Sequence, residues 1–395
     1  MAKRVVASDR LMQPIAHFSH GVRVGTTVHL GAAAGVDATR RLAGTTVGVG
    51  DMTAQADRMF ANLRIALEAM GGAWHQIVRV KTYIVDWRDL PAYSAVYARQ
   101  FTAPYPTAST VGTWGFPLPQ ILLETELVAC LDATERPMAG TRHAPSGPSA
   151  SGGVSADGLH YCTATAVDDR GAVPEPFDAS AQAERALRNL ARCLEQSKLR
   201  LQDVVMLTVS LADLRALPVF DEVFRRFFRP PYPARSVVGV PLERPGQVVE
   251  LESIAVNGGG EPIVPATDTV SPNLASPGML AGDWLFVSAQ TSGDEPDAER
   301  QTRRAWERIA ATLSAAGLTL EDVIRTNNIL TDWRLYAGFN AGYGAFVTRP
   351  YPPRATVHAG LADPRACVQI EAIAHRHGHA ATVLEAADPN RGNPA

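Results

Sequence analysis

The chain has 395 residues, 46% hydrophobic and 19% charged, with a formal net charge of −3 at pH 7. That balance gives no electrostatic footprint for nucleic acid or an anionic membrane, and no 18-residue apolar run offers a membrane span. Four cysteines lie far apart and fit neither a metal motif nor a disulfide framework, and the opening MAKRVVASDRLMQP lacks the apolar core of a signal peptide, so a soluble cytoplasmic protein is expected.

Taken in chain order, GVRVGTTVHLG (21–31) alternates β-branched and polar residues and predicts a strand with turns. From Asp51, DMTAQADRMFANLRIALEAMGG places Met59, Leu63, Ile65, Ala66 and Met70 near helical spacing and stops at Gly71–Gly72. HQIVRVKTYIVD (75–86) predicts a strand ending at Asp86. A short helix around LPAYSAVYARQF follows, then a PYP turn and strands at 108–113 and 121–130. The order is ββ-α-β-α-β-β. It recurs twice, with long helices at 178–196 and 297–316, strands DVVMLTVSLAD and DVIRTNNILTD, and second helices VFDEVFRRFF and YAGFNAGYGAFV.

A proline-flanked phrase confirms the period: APYPTASTV (103–111), PPYPARSVV (230–238) and RPYPPRATV (349–357). Asp86, Asp213 and Asp332 each precede the proline that follows the phrase's tyrosine (Pro106, Pro233, Pro352) by 20 residues, and Glu126, Glu252 and Glu371 follow it by 19 or 20. One module of roughly 120 residues is therefore written three times, and repeats decide architecture before local readings do. Modules are assigned to 1–133, 148–257 and 271–378. The stretches 134–153 and 257–273, rich in Gly, Pro and Ser, read as linkers or exposed loops, and 379–395 as a loose tail. The expected fold is α+β, each module a mixed sheet with two helices on one face. The opposite face then packs on other modules' sheets, closing an intramolecular pseudo-trimer with ligand sites between modules. Higher assembly is left open.

The module resembles the Rid family (reactive intermediate deaminases, or YjgF-like proteins), whose fold is chorismate-mutase-like. The resemblance rests on the P-x-R-[ST/A]-x-V strand, here PARSVV and PPRATV, and on the final strands VELESIA (249–255), VQIEAIA (368–374) and, more loosely, LETELVA (123–129). It implies trimers with pockets between neighbouring modules. It also implies hydrolysis of enamine or imine intermediates such as 2-aminoacrylate to 2-keto acids and ammonia, without metal or organic cofactor. A guanidinium fork suits a planar carboxylate, and a carboxylate can orient a water or shuttle its proton. The resemblance assigns the grip to Arg235 and Arg354, with Ala108 at the third position, and the water-handling role to Glu124, Glu250 and a substituted Gln369. Module 2 alone keeps both groups, so turnover is expected to depend mainly on Arg235 and Glu250, with Glu124 as a further catalytic acid. Arg354, Gln369, Asn340 and Phe18 are expected to bind substrate. Other positions depart from the family that the chain resembles: Phe18 and small residues near Ala150 and Ala275 in place of a pocket tyrosine, Ser94 and Asp221 where Asn340 keeps the helix asparagine, and Ala32, Ala164 and Ala289 in place of a glycine. These departures favour a specialised substrate.

Plainer readings accompany these. Arg235 and Arg354 suit ion pairs and Glu250 a solvent-facing strand position, but recurrence at motif positions favours the site. Glu126, Glu252 and Glu371 read as structural, around the pseudo-threefold axis or a backbone donor, and Asp86, Asp213 and Asp332 as turn or cap residues. Buried thiols are the expectation for Cys130, Cys162, Cys193 and Cys367. Arg225, Arg226 and Arg229 read as a solvated helix face. His375, His377 and His379 alternate but lack a partner set for metal. The leading function is a Rid-like deaminase on a small carboxylate-bearing, imine-type metabolite. A chorismatase-like enzyme and a catalytically silent binding or structural protein are the alternatives, and the charge pattern gives no support to an endoribonuclease.

Overall fold

The computed structural model describes residues 3–46, 49–132, 138–139, 150–266, 274–379 and 381–385. Each module builds one sheet in the same order. An edge strand (Thr107–Gly112, Ala234–Gly239, Arg354–His358) lies parallel to a central strand (Ile77–Ile84, Val204–Leu211, Val323–Leu330). The central strand pairs antiparallel with an acid strand (Leu123–Cys130, Val249–Val256, Val368–His375), and a hairpin follows beyond it. The hairpins are 21–24 with 27–33, 153–156 with 159–165, and 278–281 with 284–291.

The long helices (Met52–Ala69, Ala179–Gln196, Ala298–Ala315) start where the sequence supplies an acceptor for orphan amides. Asp51, Asp178 and Asp297 accept from the amides of Ala54, Ala181 and Arg300. Each such cap contributes about 1 kcal/mol. Asp86, Asp213 and Asp332 cap the turns before the short helices Leu90–Gln100, Leu217–Phe227 and Tyr336–Gly344 in the same way. Each module's helices bury one sheet face, around Phe60 and Leu63, Leu190 and Phe224, and Trp306 and Phe339. The other face joins a core drawn from all three sheets, including Val22, Val78, Tyr161, Met206, Phe286 and Ile324.

Three expectations about connecting segments change. The segment after 379 is not wholly a loose tail: Ala381–Glu385 forms a strand parallel to Lys3–Ala7 and extends the first sheet to seven strands. Within the assigned linkers, Met138–Ala139 and Glu261–Ile263 pair with the hairpins of modules 2 and 3. A sheet edge presents unpaired amides and carbonyls, so a short stretch without alternation is recruited by backbone alone. The rest of 134–149 and the residues after 385 lie outside the described residues.

Candidate functional site at the module junctions

Backbone contacts join the modules at equivalent places. The amide of Ser151 donates to the carbonyl of Pro106 (2.9 Å), that of Ser276 to Pro233 (3.2 Å) and that of Ser19 to Pro352 (3.4 Å). Each sets one module's proline turn and edge strand against the start of another module's hairpin. Junctions therefore exist between modules 1 and 2, 2 and 3, and 3 and 1.

The acids cross these junctions. Ser109 Oγ donates to Glu250 Oε1 at 2.7 Å, and Gln369 Nε2 donates to Ser236 Oγ at 3.1 Å. Ser109 and Ser236 directly follow Ala108 and Arg235 in their edge strands. The third equivalent of these serines is Ala355, after Arg354, and repeat symmetry sets Glu124 at that junction. Glu124 has no hydrogen-bond partner among the described residues, since Ala355 carries no hydroxyl.

The expected pairing of Arg235 with Glu250 inside module 2 is therefore not what the structure brings together. Within a module the central strand separates the acid strand from the edge strand, a gap of roughly 10 Å. The acid side chain instead reaches the edge strand of the neighbouring module. Glu250 thus shares its junction with Ala108 and Gln369 with Arg235, and repeat symmetry assigns Glu124 to the junction of Arg354.

The two arginines also differ in partner. Arg354 Nη2 donates to Asn340 Oδ1 at 2.7 Å and to Tyr336 Oη at 3.3 Å, both uncharged, and its buried Nη1 has no partner. The guanidinium carbon lies 4.7 Å from the Tyr343 ring centre, 5.2 Å from Phe339 and 5.6 Å from Phe18 of module 1. Arg235 Nη2 instead pairs with the Asp221 carboxylate at 2.6 Å, while its buried Nε has no partner. Phe220 and Phe224 flank it. At the equivalent place in module 1, Ala108 is buried among the aromatics of the helical core.

Backbone irregularity follows the same division. The hairpin strand of module 1 slips register against its acid strand between Leu30 and Ala33, and that of module 3 between Val287 and Gln290. Module 2 runs from Leu159 to Thr165 without a slip. Gly31, at the first bulge, lies so close to Arg354 that an added Cβ would sit 3.1 Å from its backbone nitrogen. Bulges re-aim side chains next to sites, and here each arginine faces a bulged hairpin.

Burial raises the pKa of Glu124 to about 8. Burial raises that of Glu250 to about 8 as well, against the opposing Ser109 hydrogen bond. Both side chains therefore hold a proton at neutral pH. His17, beside Arg354 and edge-on to Tyr351 at 5.3 Å, is held below its ordinary pKa by desolvation and by the arginine's charge.

Sequence reading missed a positioning device. Gln55, Gln182 and Gln301, each four residues into the capped start of a long helix, accept from the amides of Leu122 (3.0 Å), Val248 (2.7 Å) and Cys367 (2.8 Å). Those amides stand two residues before Glu124, Glu250 and Gln369, so the clamp fixes where the acid strand enters the sheet. Its signal was present: a glutamine four residues after the capping aspartate in every copy. Tyr336, one turn before Asn340, was missed too.

The remaining candidates hold the modules together or sit at the surface. Arg79 pairs with Glu252 of module 2 (2.7 Å) and with Glu126 of its own module (3.3 Å). Lys81 also reaches Glu252, and Arg325 of module 3 reaches Glu126 (2.5 Å). Glu371 is buried among the same charges and its pKa is raised by burial. His375 stacks edge-on to Trp284, while His377 and His379 face Asp283 and Asp322. Among the described residues no group of three or more His, Cys, Asp or Glu is placed to hold a metal, and no helix is long and apolar enough to cross a membrane. An open groove along the second long helix is lined by Glu175, Glu184, Arg185, Arg188 and Arg192, of which Arg185 pairs with Glu175 and Arg188 with Glu184.

Two buried arginines and the acid-strand side chains that cross between modules thus sit where repeated mixed sheets meet. The family described as Endoribonuclease L-PSP matches residues 8–131, 141–257 and 272–376. The chain belongs to that family, the Rid or YjgF-like proteins, as three fused copies. Solved structures match one module at a time. A Mycobacterium tuberculosis member of the YjgF/YER057c/UK114 family is 25% identical, covering 29% of this chain and 86% of its own, with a TM-score of 0.25. RidA from an Antarctic Psychrobacter is 24% identical over 32% and 98%, with a TM-score of 0.29. Yeast Mmf1 is 21% identical over 33% and 98%, with a TM-score of 0.30.

Proposed function

We propose that the protein is a cofactor-independent deaminase acting on a small carboxylate-bearing enamine or imine, and that its working site is the junction of modules 3 and 1. The observation that carries this reading is Arg354, a buried guanidinium with an unpartnered Nη1 and only uncharged partners; repeat symmetry assigns to its junction Glu124, whose pKa burial raises to about 8. Arg354 grips the substrate carboxylate, and Phe18 closes one side of the guanidinium. Glu124 gives its proton to the enamine β-carbon and leaves an iminium. The resulting carboxylate takes a proton from the water that attacks the iminium carbon. The carbinolamine so formed loses ammonia and leaves the 2-oxo acid. A carboxyl with a pKa near the working pH serves both transfers.

The three contacts between proline turns and hairpins, running 1 to 2, 2 to 3 and 3 to 1, support a closed pseudo-trimer in which one polypeptide replaces three subunits. Imino acids generated in situ from L-amino acids, with ammonia and 2-oxo acid release as the readout, test the activity. Catalysed release sensitive to Arg354→Ala is expected. Binding without release would make the protein a carboxylate-binding pseudo-trimer. Singly expressed modules should self-associate or precipitate, and stable monomers would sink the closure.

A further inference from the structure

The junction of modules 2 and 3 keeps an arginine but changes everything around it. Arg235 is 6% exposed, and its Nη2 is bound by Asp221, where Arg354 meets the neutral Asn340. Its Nε–H, buried and without a partner, still calls for an acceptor. The second Asp221 oxygen has no partner among the described residues, and this side chain remains 23% exposed. The acid of the site has become Gln369, whose amide is tied to Ser236 and can neither give nor take a proton. A 2-oxo or imino acid brings one negative charge and no cation. At this junction it would meet a guanidinium already neutralised, with a carboxylate beside it.

We propose that the junction of modules 2 and 3 is a second, non-hydrolytic site that takes an α-amino acid as its zwitterion. The ligand carboxylate accepts from the free donors of Arg235, and the ammonium donates to the free oxygen of Asp221. Arg235 and Asp221 sum to zero charge, as the zwitterion does. Arg354 with a protonated Glu124 sums to +1, which matches an anion. The fused chain thus separates two ligand chemistries that three identical subunits would have to share, and this assignment stands whether or not the other junction turns over imines.

L-Alanine and pyruvate, equal in size and differing in the ammonium, are the probes, titrated calorimetrically into the full chain. Wild type is expected to bind L-alanine at one site. Arg235→Ala and Asp221→Asn weaken that binding at least ~10-fold, the scale of one charge-assisted bond, and Arg354→Ala leaves it unchanged. Asp221→Asn copies the Asn340 arrangement and keeps a hydrogen bond to Arg235, so the fold is retained. It should gain a second pyruvate site that Arg354→Ala does not remove. Alanine binding that survives Asp221→Asn, or that disappears with Arg354→Ala, overturns the proposal. So does pyruvate matching L-alanine at this junction in Arg354→Ala protein. Loss of imine turnover without any change in L-alanine binding would count only against the reading of the other junction.

Discussion

The junction of modules 3 and 1 and the junction of modules 1 and 2 use the same strands in the same order, yet only the first has an arginine to go with its acid. The first has Arg354, a bulged hairpin and an acid without a partner; the second has Ala108, an unslipped hairpin and Glu250 tied to Ser109. Ala108 belongs to module 1 and the straight hairpin to module 2, so the departures sort by junction and not by module. That follows from how the site is made. Each junction draws its arginine from one copy and its acid and hairpin from another, so once the arginine is absent nothing holds the facing half to its original task.

Removing the grip breaks the comparison hardest. Arg354→Ala deletes charged hydrogen bonds of about 1.5–3 kcal/mol each. It should lower kcat/KM for the imino acid by roughly 10²–10⁴-fold for a two-bond fork. Arg235→Ala, already compensated by Asp221, should leave turnover within about threefold. Equal losses in the two variants would abolish the distinction between the junctions.

The acids come next. Glu124→Gln should cut kcat by about 10²–10³-fold with carboxylate binding kept, within the usual range for general acid–base catalysis. Glu250→Gln should leave the rate nearly unchanged. With Glu124 as the proposed acid, activity should fall as pH rises through about 8, where it ionises. A profile flat to pH 10, or a fall that persists in a surviving Glu124→Gln activity, would move the proton elsewhere.

The fold was legible in the sequence to a far greater degree than the site was. The repeat, the alternating strands and the capping aspartates are local signals, and the helices start at Asp51, Asp178 and Asp297 as the sequence predicts. Arg354, Asn340 and Phe18 were also legible as residue types, and they do lie together. What could not be read was which acid meets which arginine, because that depends on the rotation of one module against the next. The short strands of the linkers and tail were hidden for another reason: edge pairing uses backbone, and backbone leaves no pattern in side chains.

The ion pairs at the centre separate assembly from chemistry. Glu126 binds Arg325 of module 3, both deeply buried, and the partly buried Arg79 of its own module. Glu126→Gln leaves two cations under-compensated and should cost about 3–5 kcal/mol of stability. Denaturant unfolding would measure this, while kcat of the folded fraction should stay near that of wild type. A selective loss of kcat with stability intact would make the centre part of the site.

The smallest effect is the most specific to the junction of modules 1 and 2. Folded Glu250 keeps its proton up to about pH 8, whereas an ordinary glutamate releases it near 4.5. The folded state therefore binds more protons than the unfolded chain between those values, and stability falls as pH rises through that window. The amide in Glu250→Gln has no proton to release. That variant should thus match wild type below pH 4.5, gain on it steadily to about pH 8, and hold a constant advantage beyond. A tenfold difference in proton affinity between folded and unfolded chain corresponds to about 1.4 kcal/mol. Water drawn in by the ionised acid brings the expected gain to roughly 1–3 kcal/mol. Glu124 contributes its own slope to both proteins and cancels in the difference. Unfolding curves at pH 4, 6, 8 and 9 would read it. A difference that does not grow with pH would mean that Glu250 is ionised against Ser109, and the two junctions would then hold acids of different charge.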